Sequence, residues 1–327
     1  RILLSGPFLK NRGIELRTLI VGAGAMGCLF SAKLHLSGFD VTLFNRENER
    51  VKWIEREGIQ LITVDNEQVQ AFVPVIYDTG KLEKYDLILI LVKSFATEAV
   101  LTELKHIVDE NTIVLSLQNG VGNLEIMQKV VPRADLGIGG TGSGASVLNI
   151  GMIAHRATGV TNSGFIEDRQ PDKYLYISEM FSKSGIETVI TEDVQSVIWT
   201  KLMINVAFNS LTAITRLRNG DVLLPKAGES LVRELLTEAL EVAEKEGVEI
   251  LYANPIEDIL QIGHTQIARN QSSMLTDVLK SRKTEIEVIN GAIVKYGKKH
   301  GISTPYNELM MALIKVIEES YPKQIER

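Results

Sequence analysis

A short β-branched run, Arg17 to Val21, leads into Gly22-Ala23-Gly24-Ala25-Met26-Gly27, and a helical pattern follows through Leu34 to Ser37. No other stretch limits the fold so strongly. The three glycines act differently, since the first permits a tight turn, the second lets backbone approach an anion, and the third lets the helix pack on the strand. Gly-x-Gly-x-x-Gly alone is a weak signal, but between a strand and a helix it predicts a Rossmann-type α/β domain. Gly22, Ala23, Gly24, Ala25, Met26 and Gly27 would then form the cofactor-facing turn. The side chains of Met26 and Cys28 read as helix packing, and Gly38 as the helix stop.

The second strand, Val41 to Phe44, ends in Asn45-Arg46, where an NAD-binding fold places a carboxylate on the ribose hydroxyls. Nothing there repels a 2′-phosphate, and Arg46 can grip one, so NADP is expected over NAD. Ile59 to Val64 and Val69 to Ile76 read as an antiparallel excursion. Asp86 to Val92 is a continuous apolar run, as in a strand buried on both faces, and it puts Lys93 at the ligand-binding carboxyl edge. Helix Ala96 to Ile107 and strand Ile113 to Leu117 repeat the unit and deliver Asn119 beside a flexible turn, where a turn-forming Asn is the commonplace alternative. Leu136 to Ser146 is glycine-rich, suited to close backbone approach or to a loop. Met152 to His155 and Val160 to Phe165 look like a strand pair, followed by helix Pro171 to Lys183 and strand Gly185 to Ile190.

From Thr191, a plausible N-cap, only helical patterns remain. The expected organisation is an extension at 1–16, a dinucleotide-binding domain at 17–190 and an all-helical domain at 191–327. Trp199 to Ile214 is apolar nearly all round except for Lys201, Asn205 and Asn209, at i, i+4 and i+8, with Thr212 beside them. Asn is unfavourable inside helices, and solvated faces use Glu, Lys, Gln and Arg instead. The stripe therefore suits a wall facing a small polar ligand. Asn219 falls in a turn at Arg216 to Gly220. Further helices are expected at about 228–246, 256–267, 272–300 and 307–320, with Glu238, Glu241 and Glu244 on a solvated face. Asn270, Ser272 and Ser273 sit near a helix start, where N-capping is the simple explanation, and Glu285 could be a surface carboxylate.

Composition removes several function classes. A net charge of -6 with no basic run argues against nucleic-acid binding. A single cysteine excludes an internal disulfide framework and fits a reducing cytoplasm, and the scattered histidines offer no metal cluster. No uninterrupted apolar run reaches the roughly 18 residues of a membrane span. Arg1 to Leu16 lack the apolar core and cleavage site of a signal peptide.

The ordered set GAGAMG, LVKSF, QNGVGN, IWTKLMINVAFNSLTAI, NQSSMLTD and TEIEVING resembles the ketopantoate reductase family over about residues 17 to 320. The resemblance implies a Rossmann domain that binds NADPH and a helical domain that closes the cleft. It also implies reduction of 2-dehydropantoate to (R)-pantoate, toward pantothenate and coenzyme A. Lys201 would be the catalytic acid, and Asn119 and Glu285 would lie beside nicotinamide and substrate. Lys93 and Ala145 would contact the cofactor, while Asn205, Asn209, Asn219, Asn270, Ser272 and Ser273 would bind substrate. Two features depart from the family pattern: Gly139 to Ala145 lacks a customary His, and Ala157 replaces a Gly. Alternatives are a reductase of another short branched 2-keto acid and an NADP(H)-sensing protein without turnover. So apolar a helical half could also hold a homodimer interface.

Overall fold

The computed structural model describes residues 15–167 and 169–324. Backbone contacts divide the chain into two compact units, one comprising the residues up to Gln118 with Asn123–Val194, the other Asn119–Gly122 with the residues from Gln195 onward.

The first unit alternates strand and helix: β1 (Thr18–Val21), α1 (Ala25–Leu36), β2 (Val41–Phe44), α2 (Glu49–Glu57), β3 (Ile59–Ile62), β4 (Gln68–Ala71), β5 (Val75–Ile76), β6 (Leu87–Ile90), α3 (Thr97–Leu104), β7 (Ile113–Ser116), α4 (Asn123–Val130), β8 (Asp135–Thr141), β9 (Gly144–Asn149), β10 (Met152–Ala157), β11 (Thr161–Phe165), α5 (Pro171–Lys183) and β12 (Thr188–Ile190). Eight of these strands form one sheet in the order β12-β11-β8-β7-β6-β1-β2-β5. Its centre, from β8 through β2, is parallel. The apolar run of β6 follows from its position there, because Leu87 and Leu89 enter one core while Ile88 and Ile90 enter another. Alternate side chains leave opposite faces of a strand, so a strand covered on both sides must be apolar at every position.

The antiparallel pairing of β3 with β4 is as expected from the sequence, but it extends into a second sheet ordered β4-β3-β10-β9. The strands at 152–157 and 161–165 do not pair with each other: β10 joins β3 and β9, whereas β11 joins β8 and β12. The glycine-rich stretch is not a loop. Most of it forms β8 and β9, and Gly139 lies where a Cβ would come within 2.3 Å of the Asn162 carbonyl oxygen. Leu16, placed in the extension by its sequence position, is buried in the first core, while residues 1–14 lie outside the described residues.

The second unit is helical: α6 (Val194–Thr215), which begins at the unit boundary, then α7 (Asn219–Leu223), α8 (Lys226–Lys245), α9 (Pro255–His264), α10 (Ser273–Leu279), α11 (Asn290–His300) and α12 (Pro305–Glu319). By length and composition α6 could cross a membrane, although polar residues interrupt its apolar run. It is instead a core helix: Trp199, Leu202, Met203, Val206, Phe208 and Leu211 are all buried in the helical core. Thr191 is not its N-cap; the helix starts three residues later, and the Thr191 hydroxyl accepts from the Asp193 N–H. The single helix expected over 272–300 is broken, since α10 ends at Leu279, Ser281 takes φ 48°, and a 3₁₀ turn at Ile286–Val288 precedes α11.

Glu238 corrects another expectation. Glu241 and Glu244 are exposed, but Glu238 is buried and accepts from Tyr306 N (2.8 Å), Asn307 N (3.0 Å) and Asn307 Nδ2 (2.7 Å). First-turn N–H groups have no partner within their own helix, so this carboxylate from α8 closes the start of α12.

Candidate active site

In the first unit, the carboxyl ends of β1, β2, β6 and β7 lie along one parallel edge. Gly22 adopts φ 114° and donates to the Phe44 carbonyl at 2.8 Å. A Cβ on Gly27 would lie 1.7 Å from the Gly22 carbonyl oxygen, whereas a Cβ on Gly24 would meet nothing within 4 Å. One glycine is therefore required by packing, and the other borders open space. Gly24 caps α1 without a side-chain hydrogen bond, so no side chain competes for that helix start. Such a terminus fits the pyrophosphate of a dinucleotide.

Both backbone polar groups of Ala23 are held by side chains. Its N–H donates to Asn45 Oδ1 at 3.1 Å, and its carbonyl accepts from Arg50 Nη1 at 3.1 Å. No sequence motif assigns a role to Asn45 or Arg50, although both flank the Arg46 that one does. Arg46 is exposed, and Glu103 occupies its guanidinium through Nη2 at 2.9 Å and Nε at 3.3 Å. Ala25 and Met26 are partly buried in the first turn of α1. Cys28 is buried, and desolvation pushes its thiol up to about 12 against the opposing charge of Arg50, so no thiolate forms near neutral pH.

Lys93 is half-buried at the end of β6 and opens a 3₁₀ turn whose Ala96 N–H returns to the Lys93 carbonyl at 2.8 Å. Two residues beyond β7 lies Gln118, a residue to which the sequence pattern gives no role of its own. Its amide donates to the Val92 carbonyl (2.7 Å) and the Thr97 hydroxyl (2.8 Å), and its Oε1 accepts from Ser116 (2.8 Å). Gln118 thereby ties the ends of β6 and β7 to α3, at the point where the chain passes to the other unit. Ala145 lies in β9 opposite His155, and α1 packs against that strand.

In the second unit, the stripe on α6 grows more buried along the helix: Lys201 and Asn205 are half-buried, Asn209 is 6% exposed and Thr212 is 0% exposed. It is not a solvated face. Asn205 Nδ2, Asn209 Nδ2 and Asn219 Oδ1 are buried without a hydrogen-bond partner among the described residues. Asn219 is held to this region by its own N–H, which donates to the Asn270 carbonyl at 3.1 Å. Ser272 is an N-cap: its hydroxyl accepts from Leu275 N at 3.0 Å and from Thr212 at 2.7 Å. Asn270 and Ser273 are exposed beside it.

Glu285 is buried, at 6% exposure, rather than on the surface. Desolvation lowers the Lys201 ammonium from 10.5 to about 8, and the charge of Glu285 opposes that shift. Asn119 falls in a turn packed against the same unit, where the Val121 N–H donates to the Val288 carbonyl at 3.3 Å. Gly120 makes this approach feasible, with φ 80° and no room for a Cβ beside Val288. A poised ammonium, a buried carboxylate and amide groups with open valences can orient a small anionic carbonyl compound and protonate its oxygen.

Comparisons with known proteins cover the same ground. Residues 18–168 match the family model described as ketopantoate reductase PanE/ApbA, and residues 193–318 match its C-terminal counterpart. A 2-dehydropantoate 2-reductase of Archaeoglobus fulgidus is 32% identical over 92% of this chain and 98% of its own. One from Pyrococcus abyssi is 33% identical over 92% and 97%. Among solved structures, D-mandelate dehydrogenase with NADH and anilino(oxo)acetate superposes with a TM-score of 0.87 at 28% identity, covering 93% of this chain and 99% of that one. A PanE/ApbA family ketopantoate reductase from Ralstonia eutropha gives 0.86 at 27% identity, over 93% and 99%.

Proposed function

Because the chain belongs to the ketopantoate reductase family, we propose that it catalyses the NADPH-dependent reduction of 2-dehydropantoate to (R)-pantoate, in the cytoplasm, on the way to pantothenate and coenzyme A. The observation that carries this reading is the set of buried amide atoms, without partners among the described residues, on and beside the helix that holds Lys201. Buried polar atoms are almost always hydrogen-bonded, and three orphaned amide atoms on and beside one lysine-bearing helix suit a polar ligand. Two of these atoms are donors and one is an acceptor. Asn205 and Asn209 suit the carboxylate and carbonyl oxygens of a 2-keto acid, and Asn219 suits its hydroxyl group.

When bound, the nicotinamide supplies hydride to the keto carbon. The turn Gly22–Gly27 and Lys93 would hold that cofactor, with Asn119 and Ala145 as further contacts. As the carbonyl oxygen gains negative charge, the Lys201 ammonium stabilises it and delivers a proton from Nζ. Desolvation makes Lys201 a better acid than a surface lysine, and Glu285 keeps enough of it protonated near neutral pH. Asn270, Ser272 and Ser273 border the substrate region, with the Ser272 hydroxyl already engaged. Purified protein should oxidise NADPH only when 2-dehydropantoate is added, which is read by absorbance. Absence of that dependence overturns the substrate assignment.

The structural likeness to D-mandelate dehydrogenase favours one competing reading, a preference for a bulkier 2-keto acid. Specificity constants across aliphatic and aryl 2-keto acids, with NADPH and NADH, separate the two. A homodimer is proposed as the assembly, since α12 leaves Tyr306, Leu309, Leu313 and Val316 exposed at coiled-coil spacing. Sedimentation at the mass of one chain would remove it.

A further inference from the structure

We propose that Arg50, rather than Arg46, is the main cation that distinguishes NADP(H) from NAD(H) in this protein, by contacting the 2′-phosphate of the adenosine ribose. The inference rests on the cofactor reading above and concerns which side chain carries it. Arg50 occupies the first turn of α2, a position where the helix dipole disfavours a cation unless an anion is near. Its only hydrogen bond among the described residues is the one from Nη1 to the Ala23 carbonyl, and none of the described carboxylates pairs with it. Its Nε is buried with no partner among the described residues.

Arg46 is placed differently. It is 55% exposed and engages Glu103 through both Nε and Nη2, so a phosphate would have to compete with a carboxylate already in place. Arg50 faces no such competitor. Its hydrogen bond falls on the carbonyl of Ala23, the residue whose N–H donates to Asn45 just beyond β2. That strand end is where Rossmann folds read the ribose 2′ position. A guanidinium with open donors on a rigid peptide is the better-organised phosphate ligand.

The test measures Kd for NADPH, NADH and 2′,5′-ADP on the full chain, by fluorescence or calorimetry, for the wild type, R50Q, R50K and R46Q. Losing a charge-assisted contact should raise the NADPH and 2′,5′-ADP Kd of R50Q by about tenfold or more and leave NADH within about twofold. R46Q should change less, and R50K, which keeps the charge and guards against misfolding, should retain part of the preference. Equal weakening of NADPH and NADH by R50Q would make Arg50 a clamp on Ala23 and overturn the proposal. So would R46Q alone abolishing the preference. If the wild type oxidises NADPH with 2-dehydropantoate while R50Q keeps its selectivity, only this inference falls. If the wild type binds neither dinucleotide, the cofactor reading falls with it.

Discussion

The helical unit buries two polar groups of residues that differ in one respect. Around Glu238, the carboxylate accepts three hydrogen bonds from the start of α12, and Asn307 accepts from Asn290 Nδ2 at 2.9 Å. Around Lys201, the amides of Asn205, Asn209 and Asn219 each leave an atom without a partner among the described residues. Both groups are desolvated, so burial alone does not tell scaffold from site. The donors do: around Glu238 every donor named here meets an acceptor and the Asn290 Oδ1 acceptor alone is left over, whereas around Lys201 two amide donors and an acceptor lack partners among the described residues, and an unpaired buried donor costs the fold its full desolvation.

The sharpest way to break this contrast is Lys201→Ala. It should lower turnover by about 10²- to 10⁴-fold, the usual range for a positioned general acid, with the unfolding midpoint little changed. Undiminished turnover would remove Lys201 from the mechanism. Glu238→Ala should act in the opposite sense, orphaning three donors at a cost of about 3 kcal/mol in urea unfolding while KM for 2-dehydropantoate holds.

Asn209→Ala is expected to raise KM about tenfold with stability unchanged or improved, since it deletes a buried amide that the fold itself leaves unpaired. A loss of stability equal to that of Glu238→Ala would erase the distinction. The smallest effect is on pH dependence. In the proposed mechanism Lys201 acts when protonated, so reduction should fall as pH rises through about 8. Glu285→Gln removes the charge that holds the value up and should move this limb to lower pH. Stability carries the opposite sign: the unfolded state binds more protons between about 8 and 10.5, so unfolding free energy should rise with pH there, and Lys201→Met should flatten that rise.

Much of the fold and the site is legible along the chain because it is written in local period. Strand-turn-helix around three glycines, the unbroken apolar run at Leu87–Ile90, and the i, i+4, i+8 polar stripe on α6 each predict a structure from residues a few positions apart. The failures have a common origin in distance along the sequence. Glu238 reads as solvated because the helix start it closes lies 68 residues away. The break within 272–300 is hidden because its residues carry no Pro and only ordinary helical composition.

Sequence alone thus determined the α/β unit with its glycine turn between β1 and α1, and a buried helix carrying Lys201 and two amides. Tertiary structure decided which buried polar atoms are satisfied. It paired Arg46 with Glu103 and left Arg50 open beside Ala23. It assigned Asn119–Gly122 to the helical unit, although they follow a strand of the other. The division has a physical basis: backbone geometry repeats at short range and leaves a periodic trace, whereas the partner of a buried polar atom is whatever the fold brings within about 3 Å.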